Sequence, residues 1–241
     1  MSILNKIIPA SLKLKLKRKL GVPNMFWSLQ NMQQNGFRPN KIIDIGAYEG
    51  KWTLEMLSIF PNAKYLMIEP LESKKGLLTT LQKSRPDQIT FVNALLGATD
   101  GQPVTFNEME TASSVLKEHH STSAQLVSKT LSSLSAIAQQ KGFEKPDFIK
   151  LDTQGYELEI LKGGSDVLST TQAVLMEVSL LDIHRQVPLI NEVFDFMAKY
   201  GFVAYDICSL VRRPLDKALW QVDVIFVKLD HSIRNDKRWG A

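Results

Sequence analysis

The stretch Lys41–Gly50, KIIDIGAYEG, runs apolar into one acid and then breaks at two glycines. Ile42, Ile43 and Ile45 suit a short strand buried on both faces, and the KWTLEMLSIF that follows has the spacing of an amphipathic helix. A strand that ends in Asp44-x-Gly46-x-x-x-Gly50 and opens a helix presents backbone with no Cβ to block a ligand, so a small polar ligand belongs there. It is not a phosphate cradle. No Gly-Lys-Ser/Thr follows, the spacing is not G-x-G-x-x-G, and an acid at the turn repels a pyrophosphate.

The same alternation continues outward. Apolar runs at KYLMIE, ITFVN, DFIKLD, AVLMEV, FVAYDI and VDVIFVKL read as strands, and the spacing predicts helices at about 51–59, 71–83, 130–141, 156–168 and 188–200. That order predicts an α/β fold with a mostly parallel sheet covered on both faces. Only SLVRRPLDKALWQ separates the last two runs, too short and too irregular for a crossover helix, so the last pair is expected to be antiparallel. Residues 94–129 read as one long irregular region, a candidate lid or binding loop.

At 241 residues and 44% hydrophobic the chain has ample core for one domain, here bounded at 40–230, with a basic N-terminal arm and helical lead-in at 1–39 and a tail at 231–241. The single cysteine, Cys208, excludes an internal disulfide framework and a Cys-rich zinc site, and points to a cytoplasmic home. The net charge of +4 is concentrated in residues 1–20, where Lys6, Lys13, Lys15, Lys17, Arg18 and Lys19 occur with no acid. Leu4, Ile8, Leu12, Leu16 and Leu20 recur every four residues there. As a helix this segment would either rest peripherally on an anionic membrane surface or pack on the domain, with Pro9 interrupting the stripe.

In open α/β sheets ligands bind beyond the carboxyl ends of the strands. Those ends here are Asp44 and Gly46, Glu69 and Pro70, Asn93, Asp152 and Glu177. Glu69 stands 25 positions after Asp44 at the end of the next strand, where a carboxylate accepts both hydroxyls of a ribose. Two nearby acids favour an adenosine with a cationic attachment, such as S-adenosylmethionine.

With IIDIGAYEGKWT, YLMIEP, FVNALLG, TASSVL, FIKLDTQGYELEILKGG, VLMEVS and YDICSLVRRPLDKALWQVDVIFV in this order, the chain resembles the FkbM-type S-adenosylmethionine-dependent O-methyltransferases over roughly residues 40 to 229. The resemblance implies a Rossmann-like class I methyltransferase sheet of seven strands with an antiparallel last strand. It also implies methyl transfer to a hydroxyl, often of a carbohydrate or secondary metabolite. Carried over by position, Asp44, Gly46, Ala47, Tyr48 and Gly50 would line the methionine end of the cofactor, Glu69 the ribose, and Pro70 the turn toward the adenine. Tyr48 and Gln154 depart from the Asn and Glu frequent at these places in the family.

Asn93 is a candidate for the adenine edge or a plain strand-end residue. Ser113 and Ser114 are candidates for the cofactor carboxylate or the acceptor, or simply form a serine turn. Asp152 ends a buried strand just before a helix, which makes it either the main catalytic carboxylate or a helix cap. Glu177 emerges from the next strand as a second catalytic carboxylate or a paired structural one, and His184 follows in a loop as a general base for the acceptor hydroxyl near neutrality or a plain surface residue. Asp152 and Glu177 are also possible ligands of a magnesium ion, although no motif requires a metal. Arg212 and Arg213 with Trp220 form either a candidate acceptor wall, able to grip an anion and stack on a ring, or a hairpin with solvated arginines and a core tryptophan.

The expected function is therefore O-methyl transfer to a glycan-type acceptor. The alternatives are a polyketide, a lipid-linked or other metabolite as acceptor, or a cofactor-binding relative without turnover. A nucleic-acid substrate is disfavoured because no aromatic-rich basic groove is apparent. The oligomeric state is not read from the sequence.

Overall fold

A computed structural model describes residues 10–108, 113–116 and 125–240. Helices α1 (Ala10–Lys19) and α2 (Met25–Gln34) lead into β1 (Lys41–Ile45), α3 (Lys51–Ile59), β2 (Lys64–Ile68), α4 (Glu72–Ser84) and β3 (Ile89–Val92). Strands β4 (Leu95–Leu96), β5 (Pro103–Glu108) and β6 (Gln125–Ser132) come next, then α5 (Leu134–Lys141), β7 (Phe148–Leu151), α6 (Glu157–Lys162), α7 (Ser165–Thr170) and β8 (Ala173–Ser179). The chain ends through α8 (Ile190–Lys199), β9 (Phe202–Arg212) and β10 (Leu219–Lys228).

Seven strands form one sheet in the order β3-β2-β1-β7-β8-β10-β9. The pairs among β3, β2, β1, β7 and β8 are parallel. The last strand, β10, runs antiparallel to both of its neighbours, β8 and β9. The expected mostly parallel sheet with an antiparallel last strand is thus the observed one, and β10 reaches its place by inserting between β8 and β9.

Alternate side chains feed two cores. On one face Ile43, Leu66, Leu151 and Met176 meet Leu134, Leu161 and Val193 of α5, α6 and α8. On the other, Ile42, Tyr65, Phe148 and Leu175 meet Leu29, Met56 and Leu78 of α2, α3 and α4. Each such aliphatic or aromatic side chain contributes about 1.5–3 kcal/mol by leaving water. Phe37, after α2, joins the second core edge-on to Phe148, with ring centroids 5.7 Å apart. Strand order reverses between β1 and β7, and the ends of these strands open a crevice at the switch point.

Three expectations are corrected. Residues 94–129 are not one irregular region: β4, β5 and most of β6 lie there and form a small sheet in the order β4-β6-β5, with 109–112 and 117–124 outside the described residues. PVTFNE and QLVSKTLS are half-exposed ribbon strands, so they lack the apolar runs that betray a central strand. The helix expected at 130–141 begins at Leu134, because residues up to Ser132 pair in β6 and Ser133 caps the helix by accepting from the Ala136 N–H. The helix expected at 156–168 is split into α6 and α7 at Gly163–Gly164. A Cβ on Gly163 would stand 2.1 Å from the Gly97 carbonyl oxygen, so only glycine lets these segments meet.

At the N-terminus, α1 and the turn after it leave Leu12, Leu16 and Leu20 exposed at 55%, 49% and 69%; Leu4, Ile8 and Pro9 lie outside the described residues. Among the described residues no helix is long and apolar enough to cross a membrane.

Candidate functional site

The turn after β1 is built on a buried charge pair. Asp44 is fully buried; its Oδ2 accepts from the Thr53 hydroxyl at 2.7 Å and its Oδ1 lies 3.1 Å from Lys150 Nζ. Lys150, in the middle of β7, also donates to the carbonyl oxygens of Gly46 at 2.8 Å and Ile45 at 3.3 Å, and sits 3.9 Å from the Asp152 carboxylate. Burial works to lower the lysine's pKa, but Asp44 and then Asp152 outweigh it and hold the ammonium charged. The resulting turn is tight. A Cβ on Gly46, whose φ is +73°, would stand 2.0 Å from the Asp152 carbonyl oxygen.

Glu69 closes the other side of this turn. It is 4% exposed, and its two carboxylate oxygens accept from the backbone N–H groups of Tyr48 at 2.8 Å and Leu71 at 2.9 Å. Burial pushes its carboxyl up, against the pull of those N–H groups and of Lys150. Each oxygen keeps a second acceptor site for a ligand.

Between these groups opens a cleft. Gly46, Tyr48, Glu69 and Pro70 line one wall; Asp152, Gln154 and Tyr156 line another; Leu71, Leu95, Leu96 and Phe106 make an apolar floor; Ser113 and Ser114 stand at the edge. The Ser114 hydroxyl donates to the Gln154 carbonyl oxygen at 3.0 Å, which ties the 113–116 segment to the turn after β7. Lys129 of β6 donates to the Pro70 carbonyl oxygen at 2.6 Å and ties the small sheet to the turn after β2.

The turn after β7 is held from below by Glu157, a buried carboxylate that accepts from the N–H groups of Thr153 at 2.8 Å and Gly155 at 3.2 Å. Gln154 takes a left-handed φ of +55°, sparsely populated by residues with a side chain. Its amide Nε2 donates to Asp152 Oδ1 at 3.3 Å and to Glu177 Oε2 at 3.0 Å. Half of the Asp152 side chain is exposed. Glu177 is pushed up to about 9, first by burial and then by Asp152, Glu157 and Asp223.

Several predicted residues lie elsewhere. Asp44 and Ala47 are buried beneath the turn, and Gly50 caps α3, so none of the three borders the cleft. The Asn93 amide donates to the Glu69 carbonyl oxygen at 2.9 Å, which makes it a brace for the β2 turn. His184 is 2% exposed and does not line the cleft, because the loop that carries it folds inward, with Val187 against Gly155. Arg212 donates one N–H to the Lys217 carbonyl oxygen and Arg213 forms a two-pronged pair with Asp216, so both side chains turn back onto their own hairpin and neither lines the cleft. Trp220, also off the cleft, holds the end of β8 by accepting at its carbonyl oxygen from the Leu180 N–H. The Gln154 amide donates to both Asp152 and Glu177, the pair named as possible metal ligands; among the described residues no group of three or more His, Cys, Asp or Glu is arranged to hold an ion.

Sequence reasoning missed Lys150, Glu157, Asp223 and the Phe106 floor. The first carried a readable signal: a lysine within FIKL, a buried strand, must find a counter-charge.

The model of a family described as the methyltransferase FkbM domain matches residues 44–204. Among solved structures, the chain is similar to a methyltransferase FkbM from Methylobacillus flagellatus KT, with 17% identity and a TM-score of 0.51, over 78% of this chain and 43% of that one. It thus spans less than half the length of that structure, and the likeness is one of fold. A precorrin-6y C5,15-methyltransferase from Geobacter metallireducens GS-15 is 13% identical, with a TM-score of 0.47, over 83% of this chain and 86% of the other. The N-terminal domain of EvdMO1, solved with SAH bound, is 10% identical with a TM-score of 0.49, over 84% and 79% of the two chains. No protein of curated function matches the sequence.

Proposed function

We propose that this chain, which belongs to the FkbM methyltransferase family and is a methyltransferase dependent on S-adenosylmethionine, transfers the methyl group to a hydroxyl of a carbohydrate or glycan-type acceptor. The observation that carries the reading is a cleft with a buried, half-satisfied carboxylate, Glu69, on one wall and a solvent-reaching carboxylate, Asp152, on the other. The residues present fit the cofactor. Glu69 has acceptor sites left for ribose hydroxyls, the bare Gly46 turn admits close approach, and Pro70, Leu71, Leu95 and Phe106 offer an apolar slot for a flat ring.

The bound cofactor supplies an electrophilic methyl on a sulfonium. The chain's part is to hold the acceptor hydroxyl and take its proton. Asp152 suits that role because it reaches solvent while Lys150 and Gln154 hold its carboxylate in place. Positioning at about 3–3.5 Å supplies several kcal/mol of the barrier, and a general base adds about 10²–10⁴-fold. The test is release of S-adenosylhomocysteine with sugars, lipid-linked glycans and polyketides as acceptors. Turnover is expected on a glycan-type acceptor, and Asp152→Asn should lower kcat by about 10²-fold or more with cofactor affinity nearly unchanged. Turnover confined to the polyketides, or a fully active Asp152→Asn, would overturn the corresponding part of the reading.

The exposed apolar row of α1 supports a second element, peripheral attachment to an anionic membrane surface through residues 1–20. Lys17, Arg18 and Lys19 stand exposed beside Leu12, Leu16 and Leu20, so lipid would receive both the apolar and the charged groups. Co-sedimentation with vesicles containing phosphatidylglycerol should fall on Leu12→Ser/Leu16→Ser substitution and with rising salt, since attraction is screened beyond about 8 Å at physiological ionic strength. Equal binding by both proteins would remove this element.

A further inference from the structure

Beside the cleft, the ends of β8, β10 and β9 carry a row of polar groups on one face of the sheet. Glu177 of β8 stands directly opposite Asp223 of β10, and Asp223 directly opposite Ser209 of β9. Residues opposite each other in antiparallel pairs project to the same face, and so do residues two apart along a strand. Gln221, opposite Ser179, therefore shares the face of Asp223. The row is joined to the cleft through Gln154, whose amide bridges Asp152 and Glu177.

Two observations distinguish this row from a solvated acidic edge. Gln221 is 3% exposed, yet its amide Nε2 finds no hydrogen-bond partner among the described residues. A buried donor left unmade is costly, and its persistence calls for an explanation. The charged groups that bear on Glu177 are Asp152, Glu157 and Asp223 against the single cation Lys150, itself held by Asp44 and by two carbonyl oxygens. Among the described residues the row has no cation to spare. Arg213 is paired with Asp216 in its own turn, and Arg212, exposed at the end of β9, turns one N–H back to the Lys217 carbonyl oxygen.

We propose that Glu177, Asp223, Ser209 and Gln221 form an acceptor subsite that takes a neutral polyhydroxylated group and rejects one bearing a carboxylate or phosphate; this rests on the methyl-transfer reading above. A hydroxyl both gives and accepts a hydrogen bond, so one polyol satisfies the idle Gln221 N–H and the carboxyl oxygens together. An anionic substituent would satisfy Gln221 but would stand beside Asp152 and Asp223 in a setting of low dielectric, where like charges repel strongly. Burial, ahead of its acidic neighbours, pushes Glu177 up to about 9, so this carboxyl is neutral at pH 7 and offers the polyol a donor as well as an acceptor. Burial likewise pushes Asp223 up to about 6, which leaves it mostly ionised at neutrality as the charge that discriminates.

The test needs no turnover. Saturation-transfer NMR on the full chain would compare methyl glucoside with glucuronate, while calorimetry on the same samples measures S-adenosylmethionine. Failure to bind the cofactor would count against the methyl-transfer reading, whereas the sugar preference reports on the subsite alone. The neutral sugar should bind about ten-fold or more tighter than the uronate, and Asp223→Asn should shrink that ratio toward one. Gln221→Leu gives an independent check: it removes an unsatisfied buried amide, so the variant should be at least as heat-stable as the wild type while losing about ten-fold in methyl glucoside affinity. Glucuronate bound as well as methyl glucoside, neither sugar bound, or a Gln221→Leu protein that binds the sugar unchanged would overturn the subsite.

Discussion

The two halves of the sheet edge treat their acids differently. At the β1–β2–β7 side the buried carboxylates have fixed partners: Asp44 has Lys150 and Thr53, and Glu69 has two backbone N–H groups. At the β8–β10–β9 side Glu177 and Asp223 face each other across the ladder with no cation of their own among the described residues, and burial raises both. The first side is preorganised, as suits a ligand that is the same in every turnover. The second holds unspent hydrogen-bonding capacity, which suits an acceptor that completes the site on arrival.

The largest effect expected from breaking this contrast comes from Lys150→Met, which keeps the stem and deletes the charge. Asp44 would be left buried without its counter-ion, a loss of about 3–5 kcal/mol in urea unfolding. A loss below about 1 kcal/mol would place the pair among those that contribute little. Glu69→Ala should come next, weakening S-adenosylmethionine binding by about 1–3 kcal/mol, the scale for a charged hydrogen-bond partner. Calorimetry with unchanged affinity in a folded variant would remove Glu69 from the proposed ribose site.

The smallest effect sharpens the comparison through pH. The Glu177 carboxyl rises from 4.5 to about 9 in the folded chain, because burial and then Asp152, Glu157 and Asp223 disfavour its charge. Between those values the folded state holds a proton that the unfolded state has released, so stability falls as pH rises, by at most about 1.4 kcal/mol per pH unit. Glu177→Gln removes that slope. Melting temperatures of the two proteins from pH 5 to 9 should diverge toward alkaline pH, with the variant the more stable, and parallel curves would refute the assignment.

Much of the fold is legible in the residues alone. Asp44, Glu69 and Asp152 announce themselves as acids at the ends of apolar runs, and the short SLVRRPLDKALWQ, whose ends extend β9 and β10 around a 213–218 turn, announces the antiparallel pair. β5 and β6 do not, because a half-exposed ribbon mixes polar residues into both faces. Arg212 and Arg213 look like an anion grip only while their nearest carbonyl and carboxylate partners are out of view. His184 looks like a loop base until its loop turns inward.

The sequence by itself determined the alternation of strands and helices, the glycine turn and the positions of the acids, since hydrophobic period and strand-end chemistry are local properties. Tertiary structure alone decided which acid meets a cation and which meets another acid. Lys150 meets Asp44 because β7 lies beside β1, and Glu177 meets Asp223 because β10 inserts next to β8. A carboxylate's protonation, reach and role depend on how deeply it is buried and what charge stands opposite, and neither is a property of the residues beside it in the chain.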